Sequence, residues 1–404
     1  MEIGPIFRTL LRNKLGVLLI AIQIAFTMTV MINAIFIINE RTELVNTPSG
    51  MDDANLFHIN VIGIGDDYNE QIAIADDLAM LNAIPGVIAA TTINSLPVSG
   101  GGSSTGVRLE YDISQPSVGT AIYYGDNHTI NTMDLELIAG EGFSELDVPY
   151  RDTNGFTNAA KTVISRQLAE NLFPERAPGS VIGEYMFLPA GNEIQIVGVV
   201  EELVAPWPTS SVFHRSMLVP EIFLDGFSIY LIRTEPGQRD RVTPEVEAAL
   251  VAANPERVVR ALETMDETRA DTFRVDSSLM VILWVIIGML LFITGMGIVG
   301  LAVFSINRRR KQIGTRRALG ASRLEILRYF MLENFMISTM GVLIGAALTI
   351  GLSIFISTAF NMPAMAWYYT PLGMLTLVVL GQLAVFGPSN GAAKTELAIA
   401  TRSV

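Results

Sequence analysis

The chain has 404 residues, of which 50% are hydrophobic and 17% charged, with a formal net charge of −13. Soluble domains carry about 25% charged residues, so the apolar excess here has to be clustered or exposed to lipid. The lack of cysteine excludes disulfide, thiolate-zinc, iron–sulfur and cysteine-nucleophile chemistry. The acidic balance argues against a nucleic-acid partner, which is bound through a basic face.

In chain order, Glu2–Arg12 places Ile3, Ile6, Phe7, Leu10 and Leu11 at helical spacing beside basic residues. This predicts a cytoplasmic interfacial helix over residues 1–14. An uncharged run, Leu15–Ile38, follows. It exceeds the roughly 20 apolar residues a helix needs to cross a bilayer. It is also longer than a signal-peptide core and lacks an A-x-A-like site, so it reads as an uncleaved anchor. Three further runs qualify as spans: Leu279–Ile306, Phe330–Phe360, which carries only Glu333, and Trp367–Phe386. Basic residues gather at Arg8, Arg12 and Lys14, between the second and third runs, and at Lys394 and Arg402, whereas nearly all acids lie in residues 39–275. The positive-inside rule then puts both termini and the loop of residues 307–328 on the inner side, and residues 39–275 outside.

The outside segment carries the signals of a folded domain. Leu56–Ile62 alternates as a strand, Tyr68–Ile84 has helical spacing, and Val87–Ile93 reads as a second strand. Phe227–Arg233, Thr243–Ala253 and Arg257–Ala261 repeat the strand–helix–strand order. Two such halves, at about 50–94 and 206–262, predict a split β-α-β subdomain. Between them, at about 95–205, strand signals at Lys161–Ile164, Tyr185–Leu188 and Ile194–Val200 predict a β-rich insertion. Residues 263–278 are polar and amphipathic and predict a stalk running into the second span. The expected fold is thus four transmembrane helices (15–38, 279–306, 329–360 and 366–386), a tail at 387–404, and a large extracytoplasmic α+β domain.

The search for chemistry is mostly negative. No G-x-x-x-x-G-K-[ST] run occurs, and Gly100-Gly101-Gly102-Ser103-Ser104 lacks the lysine of a phosphate loop. His58, His128 and His214 have no ligand spacing and are expected in surface or capping roles. Asp52-Asp53, Asp66-Asp67 and Asp76-Asp77 are expected in solvated turns and at helix N-termini. No catalytic residue, cofactor site or metal site is assigned. Gln23, Thr27, Thr29 and Asn33 fall within the first span, where polar groups either bond neighbouring helices or mark a polar route. Gly341-x-x-x-Gly345 is a small-xxx-small helix-packing pattern. The inner loop, RRRKQIGTRRALGASRLEILR over Arg308–Arg328, is more patterned than an anchor requires. Ile313, Ala318, Ala321 and Leu324 are expected to form one small apolar face ringed by arginines, with Gly314 and Gly320 breaking or capping short helices. Such a surface is shaped to dock on another protein.

That loop resembles the R-E-I-G-x-x-R-A-L-G-A-S segment of FtsX/MacB-type ABC transporter permeases, and it is followed by the leucine and glutamate of the next helix, here Leu332-Glu333. Arg8-Thr9-Leu10-Leu11-Arg12-Asn13-Lys14 is similar to the family's entry to its first span. Val163-Ile164-Ser165, Leu172-Phe173-Pro174, Ile182-Gly183 and Ile196-Val197-Gly198-Val199-Val200 resemble its periplasmic core domain. Pro388, Ala392-Ala393, Ala400 and Arg402 resemble its closing segment. The sequence departs at Gln312, where the family has glutamate, and at Leu397, where it has proline.

The resemblance implies an inner-membrane permease of the mechanotransmission type. Ile313, Gly314, Arg316, Arg317, Ala318, Leu319, Gly320, Ala321 and Ser322 would form the segment that couples it to an ATPase. Only 14 residues precede the first span, so the ATPase is expected on separate subunits, which would bind the ATP and Mg. A second permease copy or homologue, a periplasmic adaptor, an outer-membrane channel and membrane lipid are the other implied partners. Export of a peptide, antibiotic or toxin is the expected function. Release of lipoproteins, or FtsX-like control of a cell-wall hydrolase, are the alternatives.

Overall fold

The computed structural model describes residues 14–65, 68–112, 114, 116–152, 157–189, 191–360 and 363–394. The expected interfacial helix at Glu2–Arg12 and the tail positions Leu397, Ala400 and Arg402 lie outside these. The chain divides into two units, with boundaries at Glu43/Leu44 and at Val275/Asp276.

One unit consists of long apolar helices: α1 (Lys14–Val45), then, later in the chain, three more that are long and apolar enough to cross a membrane, Arg274–Arg308, Arg323–Phe360 and Tyr369–Ala393. Helix α1 is the most enclosed, with Ala21, Ile24, Ala25 and Met28 all but inaccessible, whereas Leu18, Leu19, Ile22 and Phe26 lie exposed on its other side. Glycines set the close approaches. A Cβ on Gly341 would sit 2.8 Å from Cβ of Ile24, and one on Gly345 would sit 3.0 Å from Cβ of Met28. Polar side chains then bridge the helices. Thr27 and Thr294 hydroxyls lie 2.7 Å apart, Gln23 Nε2 donates to the Ile293 carbonyl at 3.0 Å, and Asn33 Nδ2 donates to the Thr349 carbonyl at 3.4 Å. In a bilayer, where no water competes, such bonds and small-residue contacts replace the hydrophobic effect as helix glue.

The other unit, Leu44–Val275, is built on one sheet of eleven strands. Its first part is β1 (Leu56–Gly63), α2 (Glu70–Asn82) and β2 (Val87–Ile93). The insertion contributes β3 (Ser103–Val107), β4 (Val118–Gly125), α3 (Thr129–Met133), β5 (Leu137–Gly140), β6 (Tyr150–Asp152), β7 (Lys161–Ser165), α4 (Arg166–Leu172), β8 (Tyr185–Phe187), β9 (Glu193–Val200), β10 (Ser216–Pro220) and β11 (Ile222–Leu224). The chain returns through β12 (Phe227–Thr234), α5 (Arg239–Ala253) and β13 (Arg257–Thr264). The order β13-β1-β12-β2, all antiparallel, with a helix in each connection, is a split β-α-β arrangement. Ile74 and Leu81 of α2 and Val242, Val246 and Leu250 of α5 cover one face of it. The sheet continues as β4-β10-β7-β9-β5. Among the described residues the strands of the two halves pair at one position, Ile93 with Gly125.

The fold class expected from the sequence is therefore the one observed, and its details need four corrections. The insertion does not stop near residue 205, because β10 pairs with β4 and β7, and β11 with β6. The stalk is not one helix from residue 263. Residues 263 and 264 close β13, and α6 (Met265–Thr272) is a separate helix, capped by Thr264 and Glu267, whose Met265 packs with Phe273 in the domain core. Asp77 is not in a solvated turn but buried, paired with Arg257 and accepting from the Tyr230 hydroxyl at 2.8 Å. His58 is not at the surface. It is 5% exposed, with Nε2 3.0 Å from the Thr268 hydroxyl.

Candidate docking site in the Arg308–Arg328 segment

Helix α7 (Arg274–Arg308) ends where Arg309 leaves helical geometry, at φ −107° and ψ 12°. A short helix, α8 (Arg310–Ala318), follows at once. Its end is fixed by Gly320, at φ +98°, a conformation open to glycine without strain. The Gly320 amide donates to the Arg317 carbonyl at 3.1 Å and the Ala321 amide to the Arg316 carbonyl at 3.0 Å, the paired bonds of a Schellman stop. Ser322 then starts α9 (Arg323–Phe360) as a capping box, its amide donating to Glu325 at 2.9 Å and its hydroxyl accepting from the Glu325 amide at 3.2 Å. The G-A-S-x-x-E wording of the loop is thus a helix stop followed by a helix start.

Four side chains hold α8 against the long helices. Ile313 is buried with Ile326 and Phe330 of α9 and with Ala392 and Ala393 of α10 (Tyr369–Ala393). Arg309 Nη1 donates to Glu333 at 3.1 Å and to the Tyr329 hydroxyl at 3.2 Å. Arg317 donates to the Ala393 carbonyl, and the Arg316 guanidinium stands 5.5 Å from the Tyr329 ring centroid. Glu333, the single charge of its apolar run, is 8% exposed and neutralised by Arg309.

The expected single face of Ile313, Ala318, Ala321 and Leu324 does not form, since Ile313 faces inward while Leu324 is 52% exposed. Gly314 does not break a helix; it is buried within α8, and Gly320 alone makes the stop. What is presented outward is Leu319, 84% exposed, with Gly320 and Leu324. Around them lie the exposed Arg310, Lys311, Gln312, Arg316, Ser322 and Arg323. Arg317 and Ala321 are half-buried and Ala318 is exposed. Chemically this is a small apolar knob in a cationic ring, suited to a partner groove with acidic edges. Gly341 and Gly345 lie far along α9, at its packing seam with α1. Arg309 and Tyr329 were missed by sequence reasoning. The lone charge Glu333 signalled that some cation must meet it, but not which of the loop's eight basic residues.

Residues 16–266 match the family of MacB-like periplasmic core domains, and residues 284–397 match the FtsX-like permease C-terminal family. The uncharacterized ABC transporter permease YknZ of Bacillus subtilis is 24% identical over 66% of this chain and 66% of its own length. The pyoverdine export ATP-binding/permease protein PvdT of Pseudomonas savastanoi is 25% identical over 85% of this chain and 50% of its own. The macrolide export ATP-binding/permease protein MacB of Agrobacterium fabrum is 28% identical over 65% of this chain and 40% of its own. The chain thus spans between two fifths and two thirds of the length of these relatives. Among solved structures, the extracellular domain of YknZ aligns at a TM-score of 0.32 and 15% identity, covering 50% of this chain and all of that one. The periplasmic region of MacB from Actinobacillus actinomycetemcomitans aligns at 0.34 and 12%, covering 57% of this chain and 97% of that one.

Proposed function

Because this chain belongs to the MacB/FtsX-like family of ABC transporter permeases, membrane proteins with an extracytoplasmic domain, we propose that it relays ATP hydrolysis by a separate ABC ATPase subunit to its outer domain. In this reading both termini and α8 lie on the cytoplasmic side, and two permease chains sit over two ATPase subunits. The cargo is a peptide, antibiotic or toxin, passed on through a periplasmic adaptor and an outer-membrane channel. The observation that carries the reading is α8 itself. It is a rigidly stopped, basic, apolar-tipped helix whose inner face is bolted to α9 and α10 through Ile313, Arg309 and Arg317. A push on Leu319 is therefore delivered to the long helices and not dissipated in a loop. Nucleotide closure does work on such a device only if the bound ATPase favours one of two arrangements of the permease.

Leu319→Asp and Arg323→Glu test this. Both side chains are exposed, so folding and insertion are expected to be unchanged. Burying a leucine side chain contributes about 1.5–3 kcal/mol, so Leu319→Asp is expected to weaken ATPase association by tenfold or more in a pull-down from detergent extracts. Undiminished association and export with both variants would remove the docking assignment.

A further inference from the structure

The outer domain holds a cavity of about 200 Å³ between the end of β2, β4 and β11. That is room for about seven water molecules at their liquid volume. At its base lies Glu221, 0% exposed, whose Oε1 accepts from the Asn158 amide at 2.9 Å and whose Oε2 lies 3.1 Å from Arg151 Nε. Arg151 is clamped in turn, with its guanidinium 3.9 Å from the Phe223 ring centroid and 4.8 Å from that of Tyr124. The ion pair behind the cavity is therefore internally balanced, and no cationic side chain lines the space among the described residues.

The lining itself is carboxylate, aromatic and neutral polar. Asp225 stands exposed at the mouth, near Glu70, whose carboxyl is pushed up by burial and, further, by the Asp225 charge. Thr92 is 6% exposed, lines the cavity, and its hydroxyl has no hydrogen-bond partner among the described residues. Asn94, half-buried, also lines the cavity, and its Oδ1 is taken by the Tyr124 amide at 2.8 Å. Buried polar groups are normally bonded, so the Thr92 hydroxyl is left for an occupant.

We propose that this cavity binds an organic cation, an ammonium group carried on a small hydroxylated body. The ammonium pairs with Asp225 and lies against Phe227, the lining ring that Arg151 does not cover, since ring faces attract cations within about 6 Å. A hydroxyl of the ligand completes Thr92. An anion is disfavoured, because the nearest guanidinium is already paired with Glu221 and the mouth is acidic. The site rests on the cavity alone and stands or falls independently of the ATPase-coupled reading.

The test is calorimetric titration of the full chain in lipid nanodiscs with glucosamine, under mildly acidic conditions where its amine is protonated. Glucose and N-acetylglucosamine serve as uncharged counterparts. Saturable glucosamine binding, at least tenfold tighter than either neutral sugar, is expected. Asp225→Asn, an exposed and structurally mild change, should weaken it at least tenfold, and Ser103→Trp, which fills the mouth from β3, should abolish it. Lack of saturable glucosamine binding by the unaltered protein would overturn the proposal. So would equal binding of the neutral sugars, or an Asp225→Asn variant that binds glucosamine as well as the parent.

Discussion

His58 shows how one residue's surroundings set a pH response. Burial holds its imidazole below the usual histidine range, against a partial opposing pull from Glu263, 3.9 Å away. The unfolded chain therefore takes up a proton at a pH where the folded domain still resists it, so stability rises with pH across that window. The contribution is complete above the unfolded pKa of about 6.5 and is lost as pH falls towards the lower folded value. Thermal unfolding should thus give a lower Tm at pH 5.5 than at pH 7.5, and His58→Gln should flatten that difference. An unchanged slope in the variant would show that other groups carry it. Asp77 and Arg257 make a second residue-scale case. Removing one partner of a buried pair costs about 3–5 kcal/mol, whereas replacing both with apolar residues is often nearly neutral. Arg257→Met alone should unfold the outer domain at markedly lower denaturant, and adding Asp77→Leu should recover much of the loss.

At the scale of elements, α8 matters because it is short. A helix of nine residues is not stable alone in water, so its order comes from the Schellman stop, the Ser322 box and the contacts to α9 and α10. Among these, Arg309–Glu333 joins the start of α8 to the buried side of α9. Arg309→Glu is expected to place two carboxylates together and free α8. In a reconstituted complex this should uncouple ATPase activity from transport while leaving ATPase binding within a few fold. The double exchange Arg309→Glu with Glu333→Arg should restore coupling at least in part. Failure of the exchange together with normal coupling in the single variant would show that the pair only fills space.

For the whole molecule, the division at residues 43/44 and 275/276 implies that the outer domain holds its fold by itself. The eleven-stranded sheet and its packed clusters are completed within Leu44–Val275. Residues 44–275 expressed alone should be soluble and unfold cooperatively, read by circular dichroism and calorimetry. A fragment without a cooperative transition would mean that the sheet depends on the long helices. Among the described residues, Ile93–Gly125 is the one strand pairing between the split β-α-β half and the insertion, and a shared core that includes Leu56, Ile93 and Leu231 with Tyr123 and Leu218 packs the halves together.

The four apolar helices, their basic flanks and the strand–helix–strand halves were readable from the sequence because each is written in local pattern: run length, charge bias, and alternation against helical spacing. Gly320 sits at positive φ and Gly341 and Gly345 at close helix approaches, two situations that glycine tolerates without strain. Tertiary structure decided what local pattern cannot encode. Asp76 and Asp77 are neighbours of the same type, yet one is exposed and the other is buried on Arg257, nearly half the chain away. Ile313 turned inward because Ala392 and Ala393 made room for it, which left Leu319 as the outward tip. Strand β10 joined the insertion because its neighbours β4 and β7 offered free edges there. In each case the outcome depended on which distant group completed a charge, a hydrogen bond or a packed volume, and that is settled only when the chain has closed on itself.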